Sequence, residues 1–330
     1  PIGTKLIGMA ARGDATATLA ATVPPMQTSV DIGRVGLWQG VLDAQPTARV
    51  REIAAELEAM GWGALWLPES TGRDALVSSS VLLGATTTLK VATGIAQIHA
   101  RDPITTANAQ RTLAEAYDNR FLLGLGVSHA PQIEGVRKQS YVKPYSFMRS
   151  YLAAMGNAPF TAVGPATAPP TVLAALGPKM LELSRDAAQG AHPYFVPPEH
   201  TALARSVLGP EPLLAVEQMV ILDTDPTTAR ALARQDMVRS LRLPNYVNNL
   251  RRLGYGDDDL GTGAGTTDGN PVPSDRMVDA IVAWGDEDAI LARVQAHLDA
   301  GADHVCVQHL VTDRTKPPLE QWRRLAEALL

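Results

Sequence analysis

Cysteine, aromatic residues and excess charge are all scarce in this chain. Cys306 is the one cysteine among 330 residues, so a disulfide within the chain is excluded, and its apolar surroundings predict a buried, unreactive thiol. Aromatic residues make up 5% of the sequence, too few to outline a substrate cage. The net charge of −5 gives no long-range attraction to phosphate backbones or anionic lipids. We therefore expect no nucleic-acid or membrane partner, and the unpaired cysteine is typical of a cytoplasmic protein.

Long apolar runs are also missing. No run approaches the ~20 apolar residues that a membrane-spanning helix needs. The opening stretch carries Lys5, but its apolar run stops at Arg12, before it reaches the length of a signal peptide. Residues 1–30 are rich in alanine and threonine, which predicts a loosely attached extension. Hydrophobic residues at 45% and charged residues at 19% predict a large packed core, in a single domain over residues 31–330.

Short apolar runs recur along residues 31–330, with helical stretches between them. The runs are continuous rather than alternating, as is typical of parallel strands that are covered on both faces. They begin at Arg34, Ala64, Lys90, Phe121, Thr171, Gly190, Leu214 and Asp303. Apolar residues at helical spacing predict helices over 47–60, 103–117, 179–188, 226–240, 287–300 and 318–330. Eight strands alternating with helices predict a (β/α)8 TIM barrel.

The repeat is stretched after strand 4 and after strand 7, which predicts an insertion at each place. The first covers residues 128–170, and the second includes the glycine-rich segment 254–274 with its acidic run Asp257–Asp259. Both are expected to shape the mouth of the barrel, although a disordered loop is an equal expectation for 256–274. Chemistry in such barrels lies at the carboxyl ends of the strands, so the residues there are the candidates for a site.

Two side chains at strand ends are suited to proton transfer. Glu69 follows strand 2 and is suited to hold a cofactor ring or to move a proton, although a helix cap is the alternative. His129 follows strand 4, and histidine titrates near neutral pH, although a surface or structural histidine is the alternative. The small residues that precede His129 would let a flat ligand lie against the backbone: Gly126, Val127 and Ser128.

Strand 5 leads straight into a helix through Leu176, Gly177, Pro178 and Lys179. Free backbone N–H groups and a lysine at a helix start favour phosphate binding, although a bare strand-to-helix turn explains the same residues. Trp38 on strand 1 and His192 on strand 6 also face the mouth, as candidates for substrate contact or for packing. No metal site is predicted, because no ligand spacing fits one. No G-x-S-x-G motif occurs, so a hydrolase is a weak alternative.

Four segments together resemble the bacterial luciferase-like monooxygenase superfamily, and within it the branch that uses the deazaflavin coenzyme F420. They are Ala59–Glu69, Ala92–Ile95, Ala100–Pro103 and Asn119–Val127, and the resemblance runs from Arg34 to Leu330. This resemblance implies a barrel that grips a tricyclic ring at its mouth and moves a hydride between deazaflavin C5 and a small organic substrate. It also implies a homodimer, which is common in the family.

The resemblance implies roles for particular residues. Gly94 and Ile95 match a bulge with a non-prolyl cis peptide that backs the central ring of the coenzyme. Glu69 matches an acidic position beside the ring. His129 matches the position of a proton donor, although many relatives have glutamate there and carry a histidine at the position of Ser70. Residues 177–179 match the phosphate-binding end of strand 5.

Coenzyme F420 and FMN share a tricyclic ring and a phosphate, so the oligoglutamate tail of F420 is the feature that separates them. Four cations of the first insertion are candidates to steer this tail, although a solvated helix face is the alternative: Arg137, Lys138, Lys143 and Arg149. We therefore expect coenzyme F420, with an FMN-dependent monooxygenase as the alternative. A non-catalytic flavin- or deazaflavin-binding protein is the second alternative.

Overall fold

The computed structural model describes residues 31–262 and 269–330. The strands are β1 Val35–Trp38, β2 Ala64–Leu67, β3 Lys90–Thr93, β4 Ala96–Gln97, β5 Phe121–Gly126, β6 Thr171–Leu173, β7 Gly190–Ala191, β8 Leu213–Leu222, β9 Val282–Gly285 and β10 His304–His309. The helices are α1 Thr47–Ala59, α2 Ala75–Leu83, α3 Pro103–Ala116, α4 Pro144–Gly156, α5 Pro178–Ala187, α6 Pro198–Leu208, α7 Pro226–Leu241, α8 Pro244–Arg252, α9 Asp257–Leu260, α10 Asp275–Ile281, α11 Glu287–Asp299 and α12 Leu319–Leu329. A 3-10 turn covers Val41–Ala44, and a π-helical turn covers Pro131–Val136.

The strands form a closed parallel barrel, as predicted. Around the ring the strands pair in the order β1, β2, β3, β5, β6, β7 and β8, and β10 closes the ring by pairing with both β8 and β1. Both β3 and β4 pair with β5, so they are two halves of one strand interrupted at Gly94 and Ile95. Counting them as one, and leaving out the additional strand β9, gives the eight predicted barrel strands. All eight apolar runs are therefore confirmed.

Two apolar layers surround the strand ring. The inner layer comes from strands all round the barrel and fills its interior: Trp38, Ala64, Trp66, Ala92, Leu122, Val172, Leu213, Ala215 and Cys306. The outer layer lies between the strands and the helices and includes Leu65, Phe121 and Val305. Continuous burial of β2 and β5 follows from having both layers, which is why their sequences are apolar at every position. Cys306 is buried in the inner layer, as expected.

The second insertion is more ordered than the sequence indicates. It contributes its own apolar cluster, in which α7, α8 and α10 cover the upper half of β8. It also contributes β9, which the sequence analysis missed; β9 pairs in parallel with residues 219–222 of β8. The alternative of a disordered loop over 256–274 is wrong for its described residues, since α9 forms there and Ser274 bonds Asp259. The remainder of that loop, 263–268, lies outside the described residues.

The predicted helices agree with the structure to within one residue at each end, and their start signals explain why. Asp102 and Asp225 cap α3 and α7 by accepting hydrogen bonds from backbone N–H groups, and proline follows each of them. Six further helices have no counterpart among the predicted ones: α2, α6, α4 in the first insertion, and α8, α9 and α10 in the second. No helix of the described ranges is both long and apolar enough to cross a membrane. The predicted extension over residues 1–30 lies outside those ranges.

Candidate functional site

The interruption between β3 and β4 lies at the mouth of the barrel, the face formed by the carboxyl ends of its strands. The Gly94–Ile95 peptide bond is cis, as the family resemblance implied. The indole Nε1 of Trp38 donates a hydrogen bond to the Gly94 carbonyl over 3.1 Å. A Cβ on residue 94 would lie 2.6 Å from Trp38 Nε1 and 2.8 Å from His192 Nε2. Glycine is therefore required at position 94, because the side chains of Trp38 and His192 pack directly against its backbone.

His192 lies inside the barrel against this backbone. Its Nδ1 donates to the Ala215 carbonyl over 2.9 Å, which leaves Nε2 as an acceptor that has no partner among the described residues. The ring stacks on Trp66 with centroids 4.2 Å apart. Burial lowers the pKa of His192 to about 4, so the imidazole is neutral at pH 7. The contacts of Trp38 and His192 are to the Gly94 backbone; their predicted contact with substrate stays a prediction.

Glu69 is fully engaged by protein groups. Its carboxylate accepts hydrogen bonds from the backbone N–H of Ala75 at 3.2 Å and of Gln97 at 2.7 Å. The guanidinium of Arg101 bonds both of its oxygens, and the two side chains are only 4% and 8% exposed. Glu69 therefore joins the end of β2 to β4 and to the start of α3. This geometry favours a positioning role over proton transfer for Glu69.

His129 stands at the mouth beside groups from the second insertion. Its ring lies 5.4 Å from that of Tyr246 on α8, and Tyr246 in turn lies 6.1 Å from Tyr194. Burial lowers the pKa of His129, opposed by a hydrogen bond with Asn245 and assisted by the positive charge of Arg239. A neutral imidazole at pH 7 is suited to accept a proton.

An aromatic wall of four rings thus lines the mouth: Trp38, Tyr194, Tyr246 and His129. The first two rings are 5.3 Å apart, and Tyr194 donates its hydroxyl hydrogen to Gln308 over 3.0 Å. The sequence analysis named neither tyrosine: Tyr194 follows the predicted strand at Gly190 but was not singled out, and Tyr246 lies on a helix that was not predicted. The position of Tyr246 depends on how α8 folds back over the barrel, for which the local sequence has no signal.

The start of α5 has the features of an anion site. Gly177 is its N-cap, and no side chain caps the helix there. The Nη2 of Arg252 lies 3.5 Å from the position that a Cβ on Gly177 would occupy. That guanidinium bonds Asn249, whose own Nδ2 is buried with no partner in the described chain. A guanidinium and an uncapped helix start therefore meet at the predicted phosphate turn, which also includes Leu176, Pro178 and Lys179, and the Asn249 amide lies next to that guanidinium.

The end of β5 carries the other predicted ligand contacts. Gly126 is its last residue, and the side chain of Ile95 occupies the space where a Cβ would lie. Ser128 has a positive φ of 59°, and its carbonyl accepts a hydrogen bond from Tyr141 over 3.1 Å. Gly126 therefore packs against Ile95 of the cis peptide, and the chain turns at Ser128 toward His129; contact of Gly126, Val127 and Ser128 with a ligand stays a prediction.

The four cations of the first insertion differ in their contacts: one is bonded to the barrel and three are exposed. Arg137 bonds the Gln97 side chain over 2.9 Å and the Ser70 carbonyl over 3.4 Å, so it anchors the insertion to the barrel. Lys138, Lys143 and Arg149 are exposed, and no salt bridge forms at them within the described residues. Lys143 lines an open groove of about 430 Å³ together with His99, Gln139, Ser146 and Phe147.

His99 closes one side of this groove. Its ring packs 4.9 Å from that of Phe147, and its Nδ1 finds no partner in the part of the chain that the structure describes. The groove's lining residues contribute hydroxyl, amide and ammonium donors but no carboxylate. Its chemistry is therefore complementary to a chain that carries carboxylates. Across residues 31–262 and 269–330, no cluster of three or more metal-ligating side chains occurs.

Comparison with known proteins gives the family and the fold. The sequence model of the luciferase-like monooxygenase family matches residues 31–304. A Mycobacterium tuberculosis protein that bears the name of a coenzyme F420-dependent oxidoreductase is 28% identical over 195 residues. That match spans 50% of this chain and 56% of the relative.

Solved structures share the fold at lower identity. An F420-dependent secondary alcohol dehydrogenase in complex with an F420-acetone adduct superposes with a TM-score of 0.70 at 14% identity, covering 90% of this chain and 99% of that one. The F420-dependent tetrahydromethanopterin reductase of Methanopyrus kandleri gives 0.63 at 16%, over 90% and 99%. The oxygenating constituent of 3,6-diketocamphane monooxygenase of Pseudomonas putida, in complex with FMN, gives 0.64 at 16%, over 89% and 96%.

Proposed function

Because the chain belongs to the luciferase-like monooxygenase family, we propose that it is an oxidoreductase that uses coenzyme F420. It transfers a hydride between the deazaflavin and a small organic substrate, as a dehydrogenase or reductase. The observation that carries this proposal is the pairing of the cis Gly94–Ile95 backbone at the mouth with an anion site at Gly177. The first presents a backbone face to a flat ring, and the second takes the phosphate that such a coenzyme carries.

The residues present fit a phosphorylated coenzyme. The uncapped N-terminus of α5 offers backbone N–H groups and the positive end of a helix dipole. Arg252 adds a guanidinium over Gly177, and the unpartnered Nδ2 of Asn249 adds one more donor. Lys179 follows at the second residue of the helix. A phosphate would satisfy donors that the protein alone leaves free, which is the signature of a ligand site.

Each part of the mouth then has a task. When bound, the deazaflavin supplies hydride chemistry at C5. His129, neutral at pH 7, accepts the proton that leaves an alcohol during oxidation. Glu69 holds Gln97 and Arg101 in place, and so fixes β4 behind the ring. Trp38 supports the Gly94 carbonyl and, with Tyr194, forms an apolar wall that excludes water from the substrate.

The groove at Lys143 suits the oligoglutamate tail of coenzyme F420. It lies at the N-terminal end of α4, where helix dipole and ammonium group both favour carboxylates. Lys138 and Arg149 extend this positive surface, whereas Arg137 is committed to Gln97 and Ser70. FMN has no such tail, so the groove favours F420 over FMN. A cytoplasmic homodimer completes the proposal, and sedimentation of the purified chain tests the dimer.

Tryptophan fluorescence tests the proposal directly. The full chain is titrated with coenzyme F420 and, separately, with FMN. Saturable quenching by F420 is expected, and Trp38→Phe should remove most of it because Trp38 contacts the Gly94 backbone. Trp284→Phe is the matched control. Trp284 lies on β9 of the second insertion, where it packs on Arg230 of α7. Absence of saturable F420 binding would overturn the proposal.

An FMN-dependent monooxygenase is the second candidate. The barrel superposes on the FMN complex of the Pseudomonas putida enzyme as well as on F420-dependent enzymes, and a phosphate at Gly177 would serve either coenzyme. The same titration separates the two candidates, because FMN binding tighter than F420 would favour oxygen chemistry. Oxygen uptake in the presence of reduced FMN then provides the confirming assay.

A further inference from the structure

A buried histidine holds the peptide at the start of the phosphate turn, residues 176–179. His200 lies in the first turn of α6 and is 0% exposed. Its Nε2 lies 2.9 Å from the Leu176 carbonyl oxygen, and because a carbonyl only accepts, the imidazole is the donor. Its Nδ1 is buried and bonds nothing within the described residues. The Leu176 carbonyl is therefore the group that this ring holds.

The imidazole of His200 is neutral at pH 7. Burial lowers its pKa, opposed by the hydrogen bond to Leu176 and assisted by the positive charge of Arg252. A neutral imidazole carries one N–H, and the contact with the carbonyl assigns that N–H to Nε2. The ring thus has a single donor, and it is spent on the turn.

The first turn of α6 is itself held by a buried hydrogen-bond network. The hydroxyl of Thr201 lies 2.8 Å from His297 Nδ1, and His297 Nε2 lies 2.8 Å from Gln218 Oε1 on β8. Gln218 donates in turn to the Ile281 carbonyl over 2.8 Å. The side chains of Thr201, His297 and Gln218 are at most 1% exposed. His200 is therefore presented from a helix start that is tied to the barrel wall.

The same peptide turns its N–H away from His200. The Leu176–Gly177 peptide is trans, so its carbonyl and its N–H point in opposite directions. The N–H groups of Gly177 and Lys179 make no hydrogen bond within the described residues. Gly177 is half-buried, and Pro178 and Lys179 are exposed. The turn is therefore held from the protein interior on one side and open to a ligand on the other.

The glycine makes the orientation of this peptide depend on such a hold. Gly177 has a φ of −92° and a ψ of 158°, but glycine reaches positive φ at little cost. Rotation of the 176–177 peptide would exchange the directions of its two polar groups and turn a carbonyl oxygen toward the anion. The hydrogen bond from His200 opposes that rotation, because the rotation would break it. The same bond polarises the peptide, which makes its N–H a stronger donor.

We propose that His200 is a positioning residue that keeps the Gly177 N–H directed at the phosphate group of the bound coenzyme. This inference rests on the proposed function. Arg252 is exposed, and its Nη2 lies 3.5 Å from the position that a Cβ on Gly177 would occupy. The guanidinium supplies charge to the phosphate, and His200 fixes the direction of the backbone donor.

Three substitutions in the full chain separate a positioning role from a structural one. His200→Phe keeps a ring of similar volume and removes the donor. His200→Gln keeps a donor, because the Nε2 of glutamine can take the place of the histidine Nε2. His297→Phe is the matched control, since His297 is equally buried and bonded to α6 but bonds no residue of the turn.

Each variant is titrated with coenzyme F420 and with hydroxydeazariboflavin, which has the same ring but neither phosphate nor tail. His200→Phe should weaken F420 binding by about 10–100-fold, the range for losing a hydrogen bond to a charged group, and leave hydroxydeazariboflavin binding unchanged. His200→Gln should restore most of the F420 affinity. His297→Phe should leave the ratio of the two affinities as it is in the parent. An unchanged ratio in His200→Phe overturns the inference, because a structural role would weaken both ligands alike.

Nuclear magnetic resonance of the parent gives the result even if His200→Phe does not fold. The Nε2–H proton of His200 is identified as the histidine signal that is missing in His200→Gln. Inorganic phosphate or coenzyme F420 should move this signal downfield, because a phosphate on the Gly177 N–H strengthens the hydrogen bond at the other end of the same peptide. A signal that responds to neither ligand would contradict the positioning role.

The proposed function and this inference fail in different ways. If the parent binds no F420, the proposed function fails, and the inference is decided by FMN against riboflavin, which differ only in a phosphate. If the parent binds F420 but His200→Phe keeps the parent's preference for F420 over hydroxydeazariboflavin, the inference alone is wrong. A parent that binds neither F420, FMN nor inorganic phosphate overturns both.

Discussion

Replacing Arg101 by methionine tests whether the carboxylate of Glu69 is held as a structural anion. Arg101 and Glu69 are 8% and 4% exposed, so the pair is buried. The substitution leaves the carboxylate with the backbone N–H groups of Ala75 and Gln97 but without a cation. Breaking one partner of a buried ion pair costs roughly 3–5 kcal/mol, because the remaining charge stays in a poorly solvated place. We expect a loss of that size in the free energy of unfolding.

The assay is unfolding in urea, followed by tryptophan fluorescence. Arg49→Met is the matched control, because Arg49 also bonds two carboxylates, on Glu52 and Glu56, but all three side chains are more than a third exposed. Exposed pairs contribute about 0–1 kcal/mol, so the control should lose little. Adding Glu69→Gln to Arg101→Met should recover part of the loss, since the buried charge is then gone and the other partner of Arg101, Asp74, is 45% exposed. Equal losses in Arg101→Met and Arg49→Met would refute the reasoning.

Four further outcomes are expected. His129→Asn should leave coenzyme binding intact and lower turnover by about 10²–10⁴-fold, and an unchanged rate would exclude His129 from proton transfer. Reversing the charge of Lys138 and Lys143 to glutamate should weaken F420 far more than FMN in fluorescence titrations; equal changes would remove the tail assignment. Gly94→Ala should unfold at lower urea than the parent, because its Cβ would meet Trp38 and His192; an unchanged midpoint would contradict the packing. Burial lowers the pKa of His192, His304 and His309 to about 4. The free energy of unfolding, measured at several pH values, should therefore be highest above pH 6.5 and fall toward pH 4, by up to about 1.4 kcal/mol per pH unit for each histidine. A free energy of unfolding that does not change over this pH range would refute the assignment of neutral buried histidines.

The barrel could be predicted from sequence because each strand carries its own local signal. A parallel strand covered on both faces is apolar at every position, and the runs at Ala64 and Phe121 have that property. Helix starts could be predicted for the same reason, because an N-cap such as Asp102 and the proline after it, Pro103, both act on the first turn of the helix that they begin. The additional strand β9 has four residues and directly follows α10, so no turn separates it from a helical pattern.

The candidate site was only half visible, because its residues come from elements that the chain order does not bring together. Strand ends gave Glu69, His129 and Gly177, since each follows a recognisable strand. Arg252 reaches Gly177 through the fold of α8, and no local pattern connects the two.

The role of Glu69 shows where residue type misleads. An acid next to a strand end reads as a candidate for proton transfer, yet the partner that decides its role, Arg101, lies 32 residues further along the chain. Chemistry at such a position is set by which neighbours the fold supplies. The sequence identifies the acidic side chain, and the hydrogen-bond donors around it decide whether it transfers a proton or holds other residues in place.

Strand β8 has a consequence for engineering. Met219 and Val220 pair with β10 and with β9 at once, so these strands lie on opposite edges of β8, and β9 continues the edge that β7 occupies lower down. The second insertion is thus hydrogen-bonded into the sheet through β9 and does not merely pack on its surface. Replacing this insertion with that of a relative, in order to change the substrate, would require replacing β8 as well. The first insertion is held by side chains such as Arg137, so it is the better segment to exchange.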